Sequence, residues 1–186
     1  MYQFIAYPLD VVKTNRIVGS QITKEAGENL PREMLALYER GALQSGMYRG
    51  LATGLALSAS TRFINDMPLS SAAPALSLAF ATVIANPLLN LQTLKQVYKG
   101  PEPASYMQLF NESGVRLLTR GLTAHLGRNL LMATALSPIY VGTTDQLTST
   151  LFGLTAVLAS HPFEVARVLI VNGETSHITG RTYATL

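Results

Sequence analysis

Ala6-Tyr-Pro-Leu-Asp-Val-Val-Lys13 is the stretch that organises the chain, because the sequence returns to it twice. Asn86-Pro-Leu-Leu-Asn-Leu-Gln92 and His161-Pro-Phe-Glu-Val-Ala-Arg167 repeat its pattern, with the three prolines 79 and then 75 residues apart. Each copy ends an apolar run and puts a proline inside what otherwise reads as helix. Proline there removes a backbone hydrogen bond and bends the rod, so Pro8, Pro87 and Pro162 are expected to kink their helices. Two and five residues further on stand Asp10 and Lys13, Leu89 and Gln92, and Glu164 and Arg167. Residues three apart share a helix face, from which an acid and a base can reach a neighbouring helix. A pattern recurring at long intervals means one structural unit used several times.

Working outward, the composition decides the class. Of 186 residues, 48% are hydrophobic and only 13% charged, where a soluble domain has about a quarter charged. Residues Met67 to Leu94 carry no Asp, Glu, Lys or Arg over 28 positions, and Asn129 to Phe163 carries one, Asp145, over 35. Runs of this length suit a bilayer core, which needs about 20 apolar residues per helix. The sequence is therefore read as an all-α membrane protein, a single domain over residues 1–186. Six of the 14 basic residues fall between Lys13 and Arg49 and five between Lys95 and Arg128, while 63–75 and 137–149 contain none. Such one-sided collection follows the positive-inside rule. It lacks the aromatic interleaving or module of a nucleic-acid surface, so no nucleic-acid partner is expected. With no cysteine and three scattered histidines, His125, His161 and His177, no disulfide framework, metal site or cofactor is expected. No nucleophile spacing, Walker loop or paired carboxylate appears, so the chain does not read as an enzyme.

Along the chain, Met1 to Ile17 reads as a first helix and Gly19 to Leu30 as a polar surface loop. A surface helix begins at Pro31, with Met34, Leu35, Leu37 and Tyr38 as its apolar face. The second crossing is expected over Gly50 to Met67 and the third over Pro68 to about Leu94. A second surface helix spans Ser105 to Ser113, with Tyr106, Leu109 and Phe110 as its edge, and leads into a turn from Gly114 to Gly121. The fourth and fifth crossings are expected over Leu122 to Thr144 and Gln146 to Val171.

Taken together, these units resemble the mitochondrial carrier family. Its Pro-x-[Asp/Glu]-x-x-[Lys/Arg] motif is matched by Pro8, Asp10 and Lys13 and by Pro162, Glu164 and Arg167. Its second half is matched by Met47-Tyr-Arg-Gly50 and by Glu112-Ser-Gly114 through Thr119-Arg-Gly121. The resemblance implies a bundle of tilted, kinked transmembrane helices with short surface helices, in three pseudo-repeats over residues 1–67, 68–144 and 145–186. It implies gate-like pairs among Asp10, Lys13, Gln92, Glu164 and Arg167. It also implies cardiolipin, bound at turns formed by Gly46, Arg49, Gly50, Gly114, Arg120 and Gly121, and a possible substrate contact at Arg128. The location implied is the mitochondrial inner membrane, multi-pass, with the Lys- and Arg-rich loops on the matrix side.

The departures from the family set the functional expectation. Leu89 and Gln92 stand where an acid and a base should be, leaving Glu164 with Lys13 as the one cross-repeat ion pair, Asp10 with Gln92 as a hydrogen bond, and Arg167 without its acid. The first helix is expected to be short, since Met1 lies seven residues before Pro8, and the sixth to be absent. A gate needs pairs that exchange between states. The chain is therefore expected to be an accessory subunit of a larger inner-membrane assembly, a respiratory or ATP-synthase complex, with other subunits covering the sixth-helix side. The alternative is a working carrier of a small anionic solute.

Overall fold

The structure, a computed structural model, describes residues 2–27, 29–40, 48–65, 74–97, 105–140 and 145–173. These residues are helical with short turns, and no strand occurs among them. The helices are α1 (Tyr2–Val18), α2 (Gln21–Ala26), α3 (Leu30–Glu39), α4 (Leu51–Asn65), α5 (Pro74–Gln96), α6 (Tyr106–Ser113), α7 (Arg116–Thr119), α8 (Leu122–Tyr140) and α9 (Gln146–Asn172).

Short polar residues set the helix starts. The side chains of Asn29, Ser105 and Asp145 accept hydrogen bonds from the N–H groups of Arg32, Gln108 and Thr148 at 3.3, 3.0 and 3.2 Å. Each satisfies a donor that the first turn leaves without a partner. At the start of α9, the Thr148 hydroxyl and backbone N–H hold the exposed Asp145 carboxyl below its usual pKa. Pro31 lies in the first turn of α3, where its missing N–H costs nothing. Pro8, Pro87 and Pro162 each stand inside a helix that continues past them, in α1, α5 and α9.

These three proline helices pack pairwise against one another. α4 lies on α5, α8 bridges α5 and α9, the α2–α3 pair rests on α1, and α6 and α7 rest on α5. An apolar core of Tyr7, Val11, Val12, Ile22 and Leu37 joins α1 to α2 and α3.

Elsewhere polar side chains share the interior with apolar ones such as Val97, Val168 and Val171, and many large apolar side chains lie outside. Thr82, Asn86, Asn90, Thr93 and Gln96 of α5 are all buried, whereas Leu147 and Leu158 of α9 and Leu130 of α8 are 69, 65 and 61% exposed. Apolar side chains on the outside and amides on the inside are what a bundle surrounded by hydrocarbon requires. Among the described residues, two helices are long and apolar enough to cross a membrane, the Ser77–Gln96 part of α5 and all of α9. The sequence had suggested four full crossings. α4 covers 15 residues of the expected Gly50–Met67 crossing, and residues 66 and 67 of that stretch lie outside the described residues.

Two local readings are corrected. The stretch read as a loop from Gly19 to Leu30 contains α2, whose Ile22 is only 1% exposed. Its Gly and Ser residues mark the ends of the helix, Ser20 before it and Gly27 in the left-handed conformation after it. In α3 the buried positions are Glu33 and Leu37, while Leu35 and Tyr38 face outward. The helix turns this way because Glu33 Oε2 accepts a hydrogen bond from Arg16 Nε of α1 at 2.7 Å.

Candidate functional site

The repeated motif places its polar residues on the inner faces of α1, α5 and α9, where they converge on a cavity of ≈ 350 Å³. Asp10, Lys13 and Thr14 enter from α1, Gln92, Thr93 and Gln96 from α5, and Glu164 and Arg167 from α9. Leu51, Gly54 and Leu57 of α4 and Arg128 of α8 complete the wall.

Glu164 is the electrostatic centre. Its Oε1 accepts from Arg167 Nη2 at 2.9 Å and its Oε2 from Arg167 Nε at 3.2 Å, a forked pair within one helix. Lys13 Nζ lies 3.7 Å from Oε1, and Arg128 Nε lies 3.7 Å from Oε2. Lys13 also stands 3.3 Å from Asp10 on its own helix. Arg167 does not end without an acid, as the loss of one at Leu89 had suggested. It takes Glu164 and donates its remaining reach, Nη1, to the Thr93 hydroxyl of α5 at 3.0 Å.

Asp10 meets an amide, but not that of Gln92. Gln96 Nε2 donates to Asp10 Oδ2 at 2.9 Å, one helical turn beyond the position the motif indicates. The Thr14 hydroxyl lies 2.9 Å from both Gln96 Oε1 and the Asp10 carbonyl. Asn15 Nδ2 donates to the Gln96 carbonyl at 2.8 Å. Gln92 instead lies against Gly54 of α4, where an added Cβ would come within 3.3 Å of its Nε2. The sequence reading missed Thr14, Asn15, Thr93 and Gln96. Their signal is one turn further along the motif's own face: four residues after Asp10, Leu89 and Gln92 stand Thr14, Thr93 and Gln96.

A second polar group also escaped the sequence reading. Asn86 Nδ2 donates to the Leu118 and Arg120 carbonyls at 2.9 and 3.2 Å, and Asn90 Nδ2 to those of Leu117 and Arg120 at 2.8 and 2.9 Å. Asn86 Oδ1 lies 3.2 Å from His125 Nδ1, and Asn129 Nδ2 donates to the Thr82 hydroxyl at 2.8 Å. Because the Asn86 oxygen can only accept, His125 carries its proton on Nδ1 in this arrangement. Thr82, Asn86 and Asn90, spaced by four in a charge-free run, were the signal available.

Of the residues assigned to lipid turns, Gly46 lies outside the described residues. Gly50 and Gly121 have φ of +81 and +67°, in the region that favours glycine. Both are also points of close approach. A Cβ on Gly50 would lie 3.1 Å from the Tyr7 hydroxyl and from Lys95 Cβ, and one on Gly121 would lie 3.0 Å from Arg167 Cγ. Arg49 is buried, and its carbonyl accepts from the Tyr7 hydroxyl at 3.0 Å. Gly114 ends α6, with open space where a Cβ would go, and the Arg120 carbonyl is held by the two asparagines. Packing between helices thus accounts for Gly50 and Gly121 without a lipid.

Among the described residues, no three His, Asp or Glu side chains stand together as metal ligands. The arrangement can bind and hold charge at Glu164 and clamp three helices. No family model, curated protein or solved structure matches the chain.

Proposed function

We propose that the chain is a mitochondrial-carrier-like structural subunit, built of three pseudo-repeats, within a larger inner-membrane assembly such as a respiratory or ATP-synthase complex, and that it transports nothing itself. The observation that carries this reading is how the junction of α1, α5 and α9 is fastened. Two of its three seams are closed by hydrogen bonds involving neutral side chains: Gln96 to Asp10, Thr14 and Asn15, and Thr93 to Arg167. In the third, Lys13 and Glu164 are 3.7 Å apart, and each has a nearer partner on its own helix.

Alternating access needs contacts that exchange between two states of comparable energy. Parting the α1–α5 seam breaks the buried hydrogen bonds of Gln96 with Asp10, Thr14 and Asn15 and strands the Gln96 amide, at about 1–3 kcal/mol for a buried group that loses its partner. The charges gain nothing in return, being already paired. The apolar faces of α5 and α9, with Phe80, Val83, Leu151 and Leu154 exposed, suit hydrocarbon or a neighbouring transmembrane subunit. Cardiolipin at the turns around Arg49, Gly50, Gly114, Arg120 and Gly121 belongs to the same proposal, as does a matrix-side placing of the basic loops.

A second reading, a carrier of a small anionic solute, is favoured by one observation. Arg128 lines the cavity on the side of α8, among more cations than carboxylates. Reconstitution of the full chain into liposomes separates the two. The structural reading expects no exchange of nucleotides, phosphate or carboxylates above that of empty vesicles, and co-migration with a large complex after mild detergent extraction of mitochondria. Saturable uptake by the chain alone overturns it.

A further inference from the structure

Lys13, Arg128 and Arg167 line the cavity together with two carboxylates, Asp10 and Glu164, which leaves one positive charge in excess. All three cations approach the same carboxylate, from three different helices: Arg167 at 2.9 Å, Lys13 and Arg128 at 3.7 Å each. Among the described residues, Arg128 comes within ion-pair distance of Glu164 alone. One carboxylate surrounded by two guanidinium groups and an ammonium, beside an open volume, has the donor set of a small-oxyanion site. Here the oxyanion is covalently part of the chain.

The geometry points to Glu164 as a tethered counter-ion, filling from within a site that otherwise takes a small oxyanion such as inorganic phosphate or a short carboxylate. The inference deepens the structural reading and rests on it, because it gives a cavity lined by cations a reason not to take up a solute anion. A free anion entering the cavity meets cations whose shared focus is already occupied by a carboxylate that repels it. At about 4 Å, repulsion by a unit charge in a partly desolvated site is comparable with the whole binding free energy of a weak exogenous ligand. Removing the charge while keeping the shape reverses this balance.

The test uses the full chain in lipid–detergent micelles, as wild type, Glu164→Gln, and Glu164→Gln combined with Arg128→Gln. Inorganic phosphate is titrated by equilibrium dialysis and by thermal shift. The wild type is expected to show no saturable binding. Glu164→Gln is expected to gain it, with an affinity at least about tenfold above the wild-type limit, and the added Arg128→Gln to abolish the gain. Equal binding by wild type and Glu164→Gln, or none by a folded Glu164→Gln, overturns the inference. Should Glu164→Gln fail to fold, Glu164→Ala is prepared in acetate or phosphate. Recovery of the wild-type melting temperature by those oxyanions, and not by chloride at the same ionic strength, supports the tether, and no recovery overturns it. Solute uptake by wild-type liposomes would count against the structural reading separately, whatever the binding result.

Discussion

Between α5 and α8 the chain sets Asn86 against His125 at 3.2 Å and Thr82 against Asn129 at 2.8 Å, whereas between α1 and α9 it sets Lys13 against Glu164 at 3.7 Å. The first seam is buried and close, and its asparagines bind backbone carbonyls that cannot move away independently. The second is looser: the Lys13 side chain is 40% exposed and has Asp10 as a nearer partner. An amide ladder holds two helices in one register, because every partner it loses becomes a buried orphan. An open ion pair backed by partners within each helix can part at little cost. The acid and base of the repeated proline motif, which first draw attention in the sequence, therefore mark between α1 and α9 a seam that holds weakly, and the asparagines of α5 hold the stronger one.

The largest test of that contrast is Asn86→Leu. The substitution keeps the volume and leaves the Leu118 carbonyl and His125 Nδ1 without this partner. It is expected to destabilise the fold by about 2–3 kcal/mol, since each buried polar group stranded costs on the order of 1–3 kcal/mol. Denaturant unfolding in micelles measures it, and a loss no larger than that of Lys13→Met would reverse the ranking of the two seams.

Next comes Gly121→Ala. A side chain at φ +67° is strained, and its Cβ would press on Arg167 Cγ at 3.0 Å. The expected cost is about 1–3 kcal/mol. The same substitution displaces the guanidinium fork from Glu164, so the damage reaches the charged site through packing. If Gly121 were needed only for a lipid, Gly121→Ala would lower cardiolipin retention and leave the unfolding midpoint in lipid-free detergent unchanged.

Lys13→Met follows, with an expected effect of at most about 1 kcal/mol, the usual range for a half-exposed pair. Its unfolding midpoint should move less than that of either substitution above. A larger loss would mean that the α1–α9 contact bears weight, and would bring the gate reading back for this seam.

What the sequence let one read, and what it hid, follows the same division. Proline and charge are rare inside apolar runs, so the three motif copies and the helical character of their surroundings stand out. The partner of Asp10 does not, because pairing it with Gln96 instead of Gln92 depends on the axial stagger of α1 against α5. No periodicity within either helix encodes that stagger. α2 was hidden for another reason: Gly19, Ser20 and Gly27 are also loop formers, and they enclose a helix of only six residues. The asparagine ladder was legible in principle, as Thr82, Asn86 and Asn90 recur every four residues. Neutral amides leave no mark on a charge count, although once buried away from water they too need a partner.

A charge belonging to neither seam gives the floor against which these effects are judged, and Asp145 supplies it. It caps α9 at the end away from the cavity, fully in solvent, and its carboxyl is held below the usual value of 3.8 by the Thr148 hydroxyl and N–H. A carboxyl whose pKa falls on folding stabilises the fold above its unfolded pKa, and that contribution disappears as pH drops through the folded value. Asp145→Ala is therefore expected to lower the unfolding midpoint slightly at pH 7, with the gap to wild type closing below pH 3.8. Asp145→Asn keeps an oxygen for the cap and should show a small difference with much less dependence on pH. A pH-independent gap for Asp145→Ala would mean that the cap works through its shape alone. Thermal unfolding of wild type, the two Asp145 variants and Lys13→Met in one pH series then compares a charge in water with a charge in a seam. If Lys13→Met costs no more than Asp145→Ala, the α1–α9 pair is worth no more than a solvated helix cap, and the hydrogen bonds of Gln96 and Thr93 alone fasten the junction.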